Sequence, residues 1–230
     1  PANATRGRAT VDGVYILLEG QTGAVRAILS ARALTQLRTA AVSGLAASLL
    51  AAPDAATLLM VGTGALAPHL IEAHRTARRI ERVLVWGRSE AKAVAVVEGL
   101  RHLPCRIEAT TDLEAAAAAA DIISCATLST TPLVLSRQVR PGTHIDLVGS
   151  FTPAMREVDD ALMARARIFV DTHNAFDESG DLIDPVRAGL LDPSQAVDLR
   201  SLAQGGAAIG TSGGQSGSHI VREVVSVTVS

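Results

Sequence analysis

Apolar positions run along this chain in two textures. Residues 11–19 and 24–29 are short apolar stretches on either side of Gln21-Thr22-Gly23, the mark of two strands joined by a turn. Residues 35–52 then carry apolar side chains at helical spacing, with Thr35 placed to cap the start and Pro53-Asp54 to end the helix. From residue 56 onward, strand and helix patterns alternate. Strands are predicted at 57–62, 82–86, 106–109, 121–126, 144–148 and 168–171, and helices at 65–78, 90–100, 112–120 and 158–166. The alanine run at 115–120 is low in complexity, but alanine is the best helix former. This order predicts an α/β fold, a Rossmann-type doubly wound parallel sheet. Residues 205–218 are rich in Gly and Ser, show neither period and predict a loop or disorder. The Val-rich tail from 219 to 230 can pair as a strand.

Composition narrows the picture. Aromatic residues make up 2% of the chain, so the core must be built from Ala, Val, Leu and Ile. That palette suits a parallel sheet under close-packed helices. A formal net charge of -2 supplies no basic field to attract nucleic acid or an anionic membrane. No apolar run reaches the ~20 residues of a membrane span. Cys105 and Cys125 form no CxxC pair, and no His/Cys cluster has zinc spacing, so two reduced thiols and no metal are expected. The start Pro1-Ala2-Asn3 has no basic or apolar leader pattern, and the expected location is the cytoplasm.

Candidate chemistry centres on Val61-Gly62-Thr63-Gly64-Ala65-Leu66-Ala67, a G-x-G-x-x-A dinucleotide fingerprint between a strand and a helix. Gly62 permits the tight turn, Gly64 leaves room for a pyrophosphate, and Ala67 lets the helix pack close to the sheet. The next strand ends Trp86-Gly87-Arg88-Ser89. An NAD site usually has Asp or Glu there, for the ribose 2′-OH. Here Gly87 takes that place, and the arginine and hydroxyl that follow suit a 2′-phosphate. NADP(H) is therefore the preferred cofactor, with NAD(H) also accommodated. A later strand leads into Ala126-Thr127-Leu128, and another into Val148-Gly149-Ser150-Phe151. Thr127 either faces the cofactor crevice or caps its loop. Gly149 would let a nicotinamide approach the backbone. Phe151 either packs on substrate or closes the core, the second being the commoner use of phenylalanine. The six histidines show no catalytic spacing and are assigned surface or packing roles. Asp159-Asp160 is expected as exposed acids at a helix start, and residues 177–181 as a polar turn.

With these residues in view, the chain resembles the ornithine cyclodeaminase/mu-crystallin family. The likeness rests on Leu34-Thr35-Gln36-Leu37-Arg38-Thr39-Ala40-Ala41, Val61-Gly62-Thr63-Gly64-Ala65, Val85-Trp86-Gly87-Arg88-Ser89 and Gly149-Ser150-Phe151-Thr152-Pro153. It is strongest to the Δ1-pyrroline-2-carboxylate (ketimine) reductase branch. The resemblance implies a homodimer whose second, α+β domain for dimerisation and substrate is made from both chain ends. In that scheme 1–34 is a part of the second domain, 35–200 the Rossmann domain and 201–230 a divergent tail. Thr10 and Arg38 match positions near the cofactor phosphates and the substrate cleft, and Arg38 is the one candidate for a catalytic role. Ala126, Thr127, Leu128, Val148 and Gly149 match cofactor contacts, beside Gly62, Thr63, Gly64, Ala65, Leu66, Trp86, Gly87, Arg88 and Ser89. The implied reaction is NADP(H)-dependent reduction of a cyclic imino acid to L-proline or an analogue. The alternatives are ornithine cyclodeamination and a non-catalytic NADPH-binding role. Ornithine cyclodeaminases carry a catalytic Asp where this chain has Phe151 and a Lys where it has Met155, which disfavours the first. The family's substrate-clamping Arg and Lys fall before Pro1, and the likeness fades near Ile209. An N-terminally truncated chain with a divergent C-terminus is the expectation.

Overall fold

Thr57–Val61 (β3) has no polar side chain after Thr57, and its last four residues are fully buried. A strand covered on both faces belongs inside a parallel sheet. The structure, a computed structural model, describes residues 13–204 and, as backbone, 219–222. Thr10 and the loop expected at 205–218 lie outside the described residues. Seven more strands join β3: Arg82–Trp86 (β4), Arg106–Thr110 (β5), Ile122–Cys125 (β6), His144–Leu147 (β7), Arg167–Val170 (β8), Val197–Asp198 (β9) and His219–Arg222 (β10). Their order across the sheet is β5-β4-β3-β6-β7-β10-β8-β9, and every neighbouring pair is parallel. The chain steps outward from β3 to β5 and then restarts on the other side of β3. The topological switch point, where such sheets bind ligands, thus lies beyond the carboxyl ends of β3 and β6. β10, from the Val-rich tail, pairs with β7 on one side and β8 on the other.

The helices are Ala31–Leu50 (α1), Ala67–Ala77 (α2), Glu90–Gly99 (α3), Leu113–Ala119 (α4), Asp160–Ala164 (α5), Ala175–Glu178 (α6), Gly180–Arg187 (α7) and Leu199–Ala203 (α8). Alternation along β3 feeds two cores. Leu58 and Met60 pack with Leu70 and Ile71 of α2, Ala93 of α3 and Ala40 and Ala47 of α1. Leu59 and Val61 pack with Ala116 and Ala117 of α4, Leu162 of α5 and Leu182 of α7. Each fully buried aliphatic side chain contributes about 1.5–3 kcal/mol. Close approach of α1 to α2 depends on Gly44, where a Cβ would sit 3.1 Å from the Ala73 carbonyl oxygen. Arg78 then donates to the carbonyls of Ser48, Ala51 and Ala52 and closes the C-terminal end of α1. Val14–Leu18 (β1) and Val25–Ser30 (β2) form a separate antiparallel pair. Among the described residues no helix is long and apolar enough to cross a membrane.

Several boundaries differ from the sequence reading. α1 begins at Ala31, because Ser30 rather than Thr35 caps it, accepting from the Ala33 N–H at 3.3 Å. α2 begins at Ala67, which leaves Ala65 and Leu66 in the preceding turn. The helix expected at 158–166 shortens to α5, since Asp159 caps it by accepting from the Leu162 N–H at 3.0 Å. Asp159 also accepts from the Ser136 N–H, and Asp160 pairs with Arg156, so these two acids are engaged rather than merely solvated. Residues 177–181 are the junction of α6 and α7 and not a polar turn. Asp181 there is fully buried.

Candidate functional site

The turn leaving β3 is built on two glycines with different physical duties. Gly62 has φ +125°, and a Cβ on it would stand 2.5 Å from the Ala126 carbonyl oxygen. Backbone strain and strand approach both require glycine there. Its N–H donates to the Trp86 carbonyl at 2.9 Å, tying the ends of β3 and β4. Gly64 is different: nothing lies within 4 Å of where its Cβ would be, so the space above it is open. α2 follows directly. Its N-cap residue is Leu66, with no side-chain cap, and Pro68 stands in the first turn. By contrast α1, α4, α5 and α8 are each capped by a Ser or Asp side chain. Helix N-terminal amides without a side-chain cap suit an anion.

A cavity of about 390 Å³ opens over this turn. Gly62, Thr63 and Gly64 form one wall, Trp86, Gly87, Arg88 and Ser89 a second, and Ala126, Thr127 and Leu128 a third. Ten residues expected from sequence are therefore brought together. Ala65, Leu66, Val148, Gly149 and Arg38 do not line it. Arg38 is half-buried on α1, and Val148 turns its side chain into the core. Three lining residues escaped the sequence reading: Lys92, Ser129 and Leu133. Lys92 lies one turn beyond Ser89 on α3, so it adds a second cation beside Arg88. Among the described residues no carboxylate lines the cavity. At Gly87 a Cβ would come within 2.7 Å of Thr63 Cγ2, so the glycine lets these two walls meet.

Behind the third wall stands Glu157, fully buried. Its Oε1 accepts from the Thr127 N–H and the Thr127 hydroxyl, each at 2.7 Å, and its Oε2 accepts from the Gly149 N–H at 2.8 Å. Burial, then the nearby Asp181 carboxylate, pushes its pKa up to about 7 against the pull of these hydrogen bonds. Gly149 meets a packing demand at this point. The place of its Cβ is filled by the Thr127 backbone, at 2.1 Å, and by Glu157 Oε1, at 2.4 Å. A side chain has no room there, so strand-end packing by itself requires glycine. Phe151 is 39% exposed and does not close the core.

The histidine assignment holds for His74 and His144, both buried. His74 Nε2 lies 3.3 Å from Asp146 Oδ2, which also accepts from the Ser124 hydroxyl at 2.9 Å. Here the acid bridges Ser and His, so His74 is not placed to activate the serine as a base. The cluster instead ties α2 to β6 and β7. Among the described residues there is no grouping of side chains that could hold a metal ion.

Residues 1–208 match the sequence model of the ornithine cyclodeaminase/mu-crystallin family. The Δ(1)-pyrroline-2-carboxylate reductase of Paracoccus denitrificans is 42% identical over 208 residues, which are 89% of this chain and 66% of that protein. The Thermococcus litoralis Δ(1)-pyrroline-2-carboxylate reductase, solved in complex with NADH and L-proline, is 27% identical with a TM-score of 0.90. That match covers 97% of this chain and 70% of the other. The iminosuccinate reductase of Paracoccus denitrificans, solved in complex with NAD+, is 29% identical with a TM-score of 0.87, over 97% of this chain and 68% of its own. The chain spans 60% to 66% of the length of the curated relatives that are 40% or more identical to it.

Proposed function

The chain belongs to the ornithine cyclodeaminase/mu-crystallin family, and from that membership we propose that it reduces a cyclic ketimine acid with NADP(H), taking Δ1-pyrroline-2-carboxylate or an analogue to L-proline or the matching amino acid. The observation that carries this reading is the cavity at the switch point, where Arg88, Ser89 and Lys92 meet the open backbone at Gly64 and no carboxylate intervenes. The parts of the cofactor would be held as follows. Thr63, Gly64, Ala65 and Leu66, with the start of α2, would hold the pyrophosphate through backbone N–H groups. Arg88 and Lys92 would pair with a 2′-phosphate, and Ser89 would hydrogen-bond to it. Trp86 and Gly87 would border the adenosine. Ala126, Thr127 and Leu128 would flank the nicotinamide half, with Val148 and Gly149 supporting them from behind.

When bound, the cofactor supplies the hydride that reduces the C=N bond. The chain's own part is to hold and orient. Arg38 would attract a phosphate or a substrate carboxylate from α1. The Thr127 hydroxyl is held by Glu157, which would give the wall on the nicotinamide side a fixed shape. Phe151 and Met155 place neither an acid nor an amine where deamination of ornithine would need them. The domain division at 34 and 200 and a cytoplasmic homodimer belong to the same proposal. The exposed aliphatic side chains of β1 and β2 support the dimer.

The test is an assay of cofactor oxidation with Δ1-pyrroline-2-carboxylate, run with NADPH and with NADH. Turnover with the imine and no ammonia from ornithine is expected. Because charged hydrogen bonds contribute about 1.5–3 kcal/mol, Arg88→Ala should weaken NADPH about tenfold or more and leave NADH within about threefold. Failure of both nucleotides to be oxidised with the imine defeats the reductase reading. Equal losses for both nucleotides on Arg88→Ala defeat the NADP(H) preference.

A further inference from the structure

Glu157 takes part in none of the contacts proposed above, yet it is the group on which the third wall of the cavity rests. Its main chain is fixed first. The Leu133 and Val134 N–H groups donate to its carbonyl at 2.9 and 3.0 Å, and its own N–H donates to Asp181 Oδ1 at 2.9 Å. With the backbone held, the carboxylate spans the gap between the end of β6 and the end of β7. One oxygen takes both donors of Thr127, and the other takes the Gly149 N–H. Thr127 is itself part of the cavity wall, and the neighbouring Ala126 carbonyl abuts the Gly62 turn. Three donors converging on one side chain need a group that only accepts, and among side chains an ionised carboxylate is that group.

We propose that Glu157 is a positioning residue for the cofactor, which sets nucleotide affinity by holding Thr127 and Gly149 together as the floor under the nicotinamide half of the cavity. This rests on the cofactor reading above and deepens it. Glu157 does not line the cavity, so it acts through Thr127 rather than by touching the ligand. Burying an acid there is costly in itself, and a second buried carboxylate, Asp181, makes it more so. The charged and titratable groups around it are few. Asp181 faces it from α7, the Arg156 guanidinium pairs with Asp160, Asp181 and Asp184, and Asp146 lies on β7 beside Ser124 and His74. Cys125, at the end of β6, has its thiol pKa pushed well up, by burial first and then by the Glu157, Asp181 and Asp146 carboxylates. With the Glu157 pKa raised to about 7, the group gains a proton as the pH falls through neutrality. A protonated acid then offers an O–H where three donors already point, the floor loosens, and nucleotide affinity drops.

The full chain, as wild type and as E157Q, is titrated with NADPH and with NADH from about pH 5.5 to about 9, following nucleotide fluorescence. NADH controls for the 2′-phosphate, which titrates on its own account near about pH 6. A glutamine presents an NH₂ to one of the three donors. E157Q should therefore raise Kd for both nucleotides about tenfold or more, with kcat at saturating cofactor within about threefold. It should also remove the wild type's change of affinity near pH 7. E157D keeps the acceptors but cannot span the full gap, so its Kd should fall between those of wild type and E157Q. A folded E157Q whose Kd lies within about twofold of wild type, or that keeps the wild-type pH profile, overturns the proposal. If E157Q does not fold, E157D decides: a Kd raised for both nucleotides with kcat kept supports the role, and a Kd within about twofold of wild type overturns it. A wild type that binds neither nucleotide defeats the cofactor reading along with this one, whereas a wild type that binds while E157Q binds equally defeats this one alone.

Discussion

β1 and β3 are both five-residue strands made mainly of aliphatic residues, and they have opposite surroundings. In β3, Leu58, Leu59, Met60 and Val61 have no exposed surface. In β1, all five residues from Val14 to Leu18 are 46% to 69% exposed. Aliphatic composition therefore specifies strand but not burial, because burial depends on what lies across each face. β3 has strands on both sides and helices above and below. Among the described residues β1 has β2 as its only strand neighbour, and β2 exposes Val25, Ile28 and Leu29 as well. An apolar surface of this kind marks an interface. In the homodimer proposed above, the hairpin would gain in a partner what β3 gains within its own chain.

Truncation tests this contrast with the largest expected effect. Leu59→Ala empties a site packed on every side and should cost about 2–5 kcal/mol in urea unfolding. Leu17→Ala, made on an exposed strand, should cost no more than about 0.5 kcal/mol in dilute solution. If the hairpin is the dimer contact, the cost of Leu17→Ala should grow with protein concentration, because association stabilises only the folded chain. A cost for Leu17→Ala near that of Leu59→Ala at every concentration would mean that the hairpin is already covered, and the contrast would fail.

Glycines at the ends of the two strands sharpen the same point at smaller scale. Gly23, in the turn after β1, and Gly62, after β3, both have positive φ, at 71° and 125°. Around Gly23 a Cβ would meet nothing within 4 Å, while at Gly62 it would meet the Ala126 carbonyl at 2.5 Å. Gly23→Ala should therefore cost only the left-handed strain, about 1–2 kcal/mol. Gly62→Ala adds overpacking, about 1–3 kcal/mol more, and should also abolish nucleotide binding. Thermal unfolding and a nucleotide titration of each variant measure both effects. Similar losses of stability in the two variants would show that crowding at the β3 end adds nothing.

Much of this was legible in the sequence because it is local. The fingerprint, Trp86-Gly87-Arg88-Ser89 and the strand–helix alternation each depend on neighbouring residues, and the structure brings them to one cavity. Lys92 was within reach of the same reasoning, since helical spacing from Ser89 puts it on the same side. Glu157 was not. Its significance comes from two strand ends meeting across 30 and 8 residues of sequence, and no local pattern carries that. The packing demand at Gly149 was hidden for the same reason, because its crowding comes from Thr127 and Glu157. The short helices α6 to α8 escaped because α6 and α8 span only four and five residues, too few to show a period, and α7 starts at Gly180 and holds Pro185, both poor helix formers.

The smallest expected effect concerns the charges that tie each strand down. Near β1, Glu19 and Arg26 pair at 3.6 Å with both side chains largely in solvent, so Glu19→Ala should change stability by less than about 0.5 kcal/mol. At the start of β3, Asp121 accepts from the Ala56 and Thr57 N–H groups at 3.0 and 2.9 Å and from Arg140 at 3.0 Å, joining β3 to β6. Burial, the largest influence, raises its pKa, but the hydrogen bonds from Ala56, Thr57 and Arg140 together outweigh it and hold the pKa below 3.8. A depressed folded pKa means that the unfolded chain binds the proton more readily. The stabilisation is therefore complete above about pH 4 and is lost as the pH falls through the folded value. Asp121→Asn keeps one acceptor oxygen and should cost about 1 kcal/mol at neutral pH. Urea midpoints of wild type and variant should converge as the pH is lowered past about 4, where the wild-type carboxylate is itself neutralised. A gap that stays constant into acid would mean that the tether depends on hydrogen-bond geometry alone and owes nothing to charge.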